Sequence, residues 1–418
     1  MSGQSARARP LRLTQKDVDA ICARHDRLWA ARPGGARAVF AWSDLSGLDL
    51  SGRNLSDADF TGAVLSDCRM VGTRLDHATL FCAELQHVDL SEASLKRADL
   101  RGACLRGADL TGADLFEADL REGSIAAADA QMGYVMMEHG RRVSEAQGTI
   151  LAGANLERSR MSGVVAVRAD FTDAVLKDAK LVRANLKQCS MVGANLEGAD
   201  LSGADLAGAD LRDAVLVGAN VNSCSFDGAR MDGALTDRRH GKDVGAMPYA
   251  EMLRAHAQWC ETQGTQGSPS VFDSADLRAL ASIKGYNLTA LSAKGAVFYG
   301  LDMEGVQLQG AQLQGADLRG CNLRRADLRG ARLGRAKLSG ADLREAQMGP
   351  LLIGNDRLLP CDLARASIKN ADARGADLRH AVLTGADLSR TDFTGAHTRD
   401  ADFQDALVRG AKGLQSKS

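Results

Sequence analysis

Ala98-Asp99-Leu100-Arg101-Gly102-Ala103-Cys104-Leu105-Arg106-Gly107-Ala108-Asp109-Leu110-Thr111-Gly112-Ala113-Asp114-Leu115 repeats a five-residue unit without a break. Each unit holds a small residue, commonly Ala, then Asp or Asn, then a large apolar residue, a variable residue, and often Gly. The rule extends in both directions. From Leu45 to Ile125 all 17 positions at this spacing are large and apolar. A second run, in a register shifted by one, covers Leu151 to Met231, where only Ala166 of 17 is small. A third spans Leu288 to Val408, where 22 of 25 positions comply; Ala293, Ala373 and Thr398 are the exceptions. Such self-similarity is the mark of a repeat protein.

A period of five suits neither regular element. A helix repeats its apolar face every 3.6 residues and a strand every 2. A short extended piece fits instead: in Ala-Asp-Leu the outer two side chains point one way and Asp the other. The Gly-containing remainder turns the corner. Each pentad is then one side of a coil, with a small and a large residue inward, and coils must stack to bury them. The expected core is built from Leu45, Leu65, Leu85, Leu105, Leu110, Leu181, Leu201, Leu318, Leu338 and Leu378.

Units such as Ala316-Asp317-Leu318-Arg319-Gly320 carry the pattern A-[DN]-L-x-G, which resembles the pentapeptide-repeat family. The resemblance implies an all-β solenoid: a right-handed quadrilateral β-helix in which four pentads make one turn. With coils ~4.8 Å apart, the repeats would make two or three stacked segments, with short capping and linker α-helices.

The interruptions predict the remaining organisation. Residues 1–40 read as a tail and a capping helix: Thr14 and Asp17 fit a capping box, and Val18, Ile21, Cys22, His25, Leu28 and Trp29 share one face. Segment 1 (41–129) precedes an interruption at 130–148, where Gly140 and Glu145 occupy would-be core positions and a loop is expected. Segment 2 (149–235) precedes a helical linker and second cap (236–287). Segment 3 (288–412) carries a bulged coil near 349–360, in register through Ile353 and Leu358, before a tail at 413–418.

The stretch from Pro248 to Gly264 reads as a degenerate copy of the first cap, with Leu253, His256 and Trp259 echoing Ile21, His25 and Trp29. Phe272-Asp-Ser-Ala-Asp-Leu277 then matches Phe40-Ala-Trp-Ser-Asp-Leu45, and Ala346-Gln-Met-Gly349 repeats Ala130-Gln-Met-Gly133. A tandem duplication follows from these matches. The C-terminal coils, with Phe393 and Phe403, lack a capping helix, and a homodimer through that end is expected.

Chemistry is sparse. Of nine cysteines, Cys68, Cys189, Cys224, Cys321 and Cys361 fall at small inward positions, where a thiol acts as a small hydrophobe. No CxxC pair, phosphate loop, dinucleotide fingerprint or nucleophile elbow occurs. No catalytic residue, cofactor or metal is expected, and the chain does not read as an enzyme. The net charge of −1 and an aromatic content of 4% argue against direct nucleic-acid binding. No apolar run is long enough to span a membrane, and no secretory leader is legible. The cytoplasm is therefore the expected compartment, with export as an effector left open.

Charge is uneven: residues 41–135 hold 16 acids and 8 bases, whereas 288–412 hold 15 acids and 18 bases. The reading is a non-catalytic scaffold for an unidentified protein partner. Its candidate surface includes Arg324 with Arg344 and Arg379 with Arg399, since residues twenty apart stack on one face. The resemblance supplies two alternatives. One is a DNA-mimicking regulator or protector of DNA gyrase, from which this chain departs in length, acidity and its inserted helix; the other is a secreted bacterial effector.

Overall fold

The residue between the small and large side chains of each pentad forms a parallel β-bridge to its counterpart one coil away, as in Asp59 to Thr79, Asp99 and Asp119. Successive bridged residues are five apart and their partners twenty apart, so each coil has four bridge columns. The large residue donates its N–H to the next coil (Leu45 to the Val64 carbonyl, 2.8 Å), and the bridged residue donates to the previous one (Asp59 to Ala38, 3.0 Å). Each side contributes a single bridged residue, which is why few conventional strands exist in a fold held by β-type hydrogen bonds. In the computed structural model, residues 10–129, 133–238, 248–280, 282–354 and 357–414 are described. They belong to two units, 1–238 and 239–418, each with its own buried core.

The corner explains the rest of the pentad. Two residues after the large one the backbone is left-handed, with φ of 67° at Gly52 and 56° at Arg97, the region where Gly is free of the Cβ penalty. The Asp or Asn accepts the backbone N–H two residues on, as Asp109 does from Thr111 at 2.9 Å and Asn155 from Glu157 at 3.1 Å. That local bond is why Asp and Asn, rather than acids in general, dominate the position.

Leu45, Leu65, Leu85, Leu105, Leu110, Leu181, Leu201, Leu318, Leu338 and Leu378 are all buried against inward alanines. Where Cys68, Cys321 and Thr73 replace Ala, the side chain donates to a carbonyl 23 residues earlier: Cys68 to Leu45 (3.0 Å), Cys321 to Phe298 (3.3 Å), Thr73 to Leu50 (2.9 Å). A polar atom is thereby admitted to the core with its partner supplied.

The interruptions depart from expectation. Coils of unit 1 stop at Leu120 and resume at Ser144, not at 130 and 149: Ser144 and Ala146 fill the inward positions, while Glu145 is outward and bridges Cys104. Ala146 hides the restart because it is small where a large residue is the signal. Between them β3 (Gly123–Asp129) and β4 (Gly133–Arg142) form an antiparallel hairpin, so Ile125 is no part of the coil. Most of the first Ala-Gln-Met-Gly copy, 130–132, lies outside the described residues. In the second, Ala346 and Met348 are buried coil residues.

The expected bulged coil near 349–360 is also a hairpin, β5 (Leu351–Ile353) with β6 (Arg357–Leu359). Leu358 is exposed and Ile353 only half-buried, so neither is core. The hairpin lengthens one coil by ten residues: Lys337 bridges Ser367 and Asp342 bridges Asp372. Their coincidence with the five-residue register was accidental, since ten is a multiple of five.

Unit 1 begins with β1 (Leu11–Arg12), parallel to β2 (Ser43–Asp44), and α1 (Gln15–Trp29), whose Thr14–Asp17 capping box is present. Val18, Cys22 and His25 are buried, whereas Leu28 and Trp29 are about half exposed, at 47% and 52%, and leave the expected apolar face. In unit 2, α2 (Tyr249–Glu261) buries Tyr249, Leu253 and His256 at the same spacing. Leu253 thus corresponds to Cys22, not to Ile21. The linker expected at 236–287 is shorter than that, because a coil already starts at Ser270: Phe272, Ala275, Leu277 and Ile283 are buried. One extra residue near the 3-10 turn Arg278–Leu280 gives Val271 to Ser292 a spacing of 21 and conceals this coil from a period-five reading.

Candidate interaction surface

The repeat stacks Arg324 on Arg344, with the Arg325 N–H donating to the Arg344 carbonyl at 3.0 Å, and Arg379 on Arg399 through the His380 N–H at 3.0 Å. The hairpin β5–β6 then changes the neighbours. Arg374 is stacked on Arg344, with the Glu345 N–H donating to its carbonyl, and Gly349 lies between Arg329 and Arg379 in their column. Arg374 escaped the sequence reading because its membership depends on the ten-residue insertion.

Two of the four expected arginines are neutralised within their own pentads. In Asp-Leu-Arg the guanidinium folds back on the carboxylate: Arg344 Nε donates to Asp342 at 2.8 Å, and Arg379 donates to Asp377 at 2.9 and 2.7 Å. Arg319, Arg329 and Arg374 do the same with Asp317, Asp327 and Asp372. Hydrogen bonds from Arg374 and Arg379 hold Asp372 and Asp377 below the ordinary carboxylate range, and Arg212 does so for Asp210 in unit 1. Arg324 and Arg399 are different. Asn322 and His397 stand where an Asp would clip them, and neither arginine joins an ion pair among the described residues. Arg324 is half-buried beside Glu304 and Glu345, whereas Arg399 is exposed. The four expected arginines therefore do not act as one basic patch.

Other reactive groups are occupied in the same local way. Burial pushes the Cys68 thiol up to about 11 and the Cys189 thiol up to about 12, and raises Cys321 and Cys361 further, so these thiols stay protonated. Cys224 is half-buried near the last coil of unit 1. Among the described residues, no three His, Cys, Asp or Glu side chains converge on a metal-sized site. No helix among them is long and apolar enough to cross a membrane. A shallow cleft of about 420 Å³ on unit 1 is lined by Asp76, His77, Lys96, Arg97, Asp114, Phe116 and Asn155. Its cations are paired, Lys96 with Asp114 at 3.1 Å and Arg97 with Glu117 at 2.8 Å, and Asp76 accepts the Ser94 hydroxyl and the Lys96 N–H.

A family model described as pentapeptide repeats matches residues 43–80, 83–122, 146–178, 169–206, 179–216, 204–234, 287–320, 307–344 and 361–397, together more than half of the chain. Among solved structures, the chain is 27% identical to the pentapeptide repeat protein Rfr23 from the cyanobacterium Cyanothece 51142, covering 32% of this chain and 86% of that one, with a TM-score of 0.24. HetL, a pentapeptide repeat protein of the cyanobacterium Nostoc involved in heterocyst differentiation regulation, is 23% identical over 95% of each chain, with a TM-score of 0.16. QnrB1, a plasmid-mediated fluoroquinolone resistance protein, is 19% identical, covering 47% of this chain and 94% of that one, with a TM-score of 0.25. No curated protein matches the chain.

Proposed function

Because the chain belongs to the pentapeptide-repeat family, we propose that it is a non-catalytic scaffold that holds a protein partner against its outer faces. The observation that carries this reading is the local use of its polar groups. Asp residues close their own turns and clip their own arginines, which leaves ladders of satisfied side chains rather than a convergent reactive centre. Such surfaces suit contact over an extended face, where unclipped side chains such as Arg399 supply specificity. The coils are read as right-handed and square in section, as in the family. The last coil leaves Leu407 and Val408 exposed at 60% and 47%, and this end is the proposed site of self-association. Nine free cysteines suit a reducing compartment such as the cytoplasm.

Crosslinked affinity purification of the tagged full chain from its own cells, read by quantitative mass spectrometry, tests the scaffold. A stoichiometric protein partner that is lost with Arg399→Glu is the expected result. Recovery of the bait linked only to itself overturns the hetero-partner reading. Gyrase subunits among the stoichiometric hits would instead favour the regulator reading, and dependence of export on a secretion system the effector reading. Light scattering over a concentration series tests self-association: a monomer mass at every concentration contradicts it.

A further inference from the structure

The first coil of a solenoid has no coil beneath it, so backbone groups that would pair downward are left over. In unit 1 the missing partners come from the cap. The Leu13 N–H donates to the Asp44 carbonyl at 2.9 Å. The Gln15 carboxamide takes both groups of Asp49, donating to its carbonyl at 2.9 Å and accepting its N–H at 3.0 Å. Arg12 donates to the Ser46 carbonyl at 2.8 Å. His25 supplies another: Nδ1 accepts the Ala38 N–H at 3.1 Å, while the Trp29 indole N–H is directed at Nε2 at 3.1 Å.

Unit 2 places a histidine nitrogen at the equivalent N–H. His256 Nδ1 accepts the Ser270 N–H at 2.9 Å, and Nε2 lies 3.1 Å from the Thr289 carbonyl. Ala38 and Ser270 are the equivalent small residues that open the two coils, preceding Phe40 and Phe272 by two. Their N–H groups have no preceding pentad whose carbonyl could accept them. In both units one imidazole therefore ties the cap helix to the start of the first coil, and His256 also reaches its last side. It can do so only with Nδ1 bare.

We propose that His25 and His256 are a matched pair of acid-released latches, one on each unit, whose protonation undocks the cap helix from its coil. A proton on Nδ1 sets two donors against each other at the Ala38 or Ser270 N–H. Both rings are almost fully buried, and burial is the leading cause that lowers their proton affinity. Around His25 the charged neighbours are Asp26 on its own helix and Asp57 and Arg37 on the coil side. Near His256 the titratable neighbour is Cys260 on the same helix, whose thiol also donates to Thr289 at 3.5 Å. A cleft of about 300 Å³ lined by His25, Leu28, Trp29, Arg37 and Asp57 lies beside the first latch. The sign follows from the lowered folded-state affinity. The latch is fully closed above the free-histidine value near ~6.5, and its stability falls as pH drops toward the folded value.

The test is hydrogen exchange of the full chain between pH 7.5 and 5.5, corrected for intrinsic rates. Protection of residues 15–29 and 249–261 should fall by up to about tenfold per pH unit below ~6.5, while the interior coils stay protected. In His25→Gln and His256→Gln the amide oxygen can accept the same coil-opening N–H without titrating, so the pH dependence of the altered cap should vanish. Cap protection that is flat in the unaltered chain, or that falls equally in the Gln variants, overturns the proposal. Imidazole ¹⁵N shifts of the unaltered chain provide an arm independent of variant folding: Nδ1–H tautomers at neutral pH would also overturn it.

Discussion

A single pentad position decides a side chain's fate, and the very next residue can have the opposite one. Leu110 is sealed in the core, whereas Asp109 faces outward and accepts the Thr111 N–H at 2.9 Å. Leu110→Asp should therefore unfold unit 1, since an unpaired charge among stacked leucines costs several kcal/mol. Asp109→Asn should be nearly silent, because Asn makes the same turn bond. Thermal melts that place the two variants together would contradict the inward and outward assignment. At the corners, Asp67 holds a φ of 58°. Asp67→Gly should stabilise by up to about 1 kcal/mol, the left-handed cost removed less the added freedom of the unfolded chain; denaturant midpoints check this. Much of this was legible from spacing alone. The clipping of Arg344 and Arg379 was not, because charge counting does not show that an Asp two residues earlier closes on the guanidinium.

Elements inserted between coils obey a different logic from the coils themselves. The β5–β6 hairpin lies back over a coil corner: a Cβ at Gly330 would sit 2.8 Å from the Leu351 Cβ. Gly330→Ala should loosen the hairpin, read as faster amide exchange in 351–359, without disturbing the neighbouring core. Removing residues 351–360 while changing Pro350→Gly should leave a coil of ordinary length. The Gly is needed because position 350 would then occupy the left-handed corner, which proline's fixed φ forbids. A collapsed product would mean that the hairpin is integral to the coil. Hairpins that replace a multiple of five residues are invisible to a period-five reading, whereas the single extra residue near Arg278–Leu280 breaks that reading. That difference explains why Leu358 was misplaced and the coil at Phe272 was missed.

Across the whole molecule the two cores share no residue, one lying within 1–238 and the other within 239–418. A fragment of residues 1–238 should fold alone and retain its far-ultraviolet circular dichroism. Acid should act on both units. Asp210, Asp372 and Asp377 are held below the usual range by their arginines, so their contribution is present above pH ~3.9 and disappears as pH falls through their lower folded values. The triple variant Arg212→Gln, Arg374→Gln, Arg379→Gln should be slightly less stable than the unaltered chain at neutrality, since exposed pairs contribute little, and the two should converge as pH falls through that range. The account rests most heavily on coil register, and methyl contacts in a sample labelled at Ile, Leu and Val report it directly. Bridging of Lys337 to Ser367 predicts a nuclear Overhauser contact between Leu338 and Ile368 alongside one between Leu318 and Leu338. A contact from Leu338 to Leu358 instead would show an unbroken twenty-residue coil and contradict the structure described above.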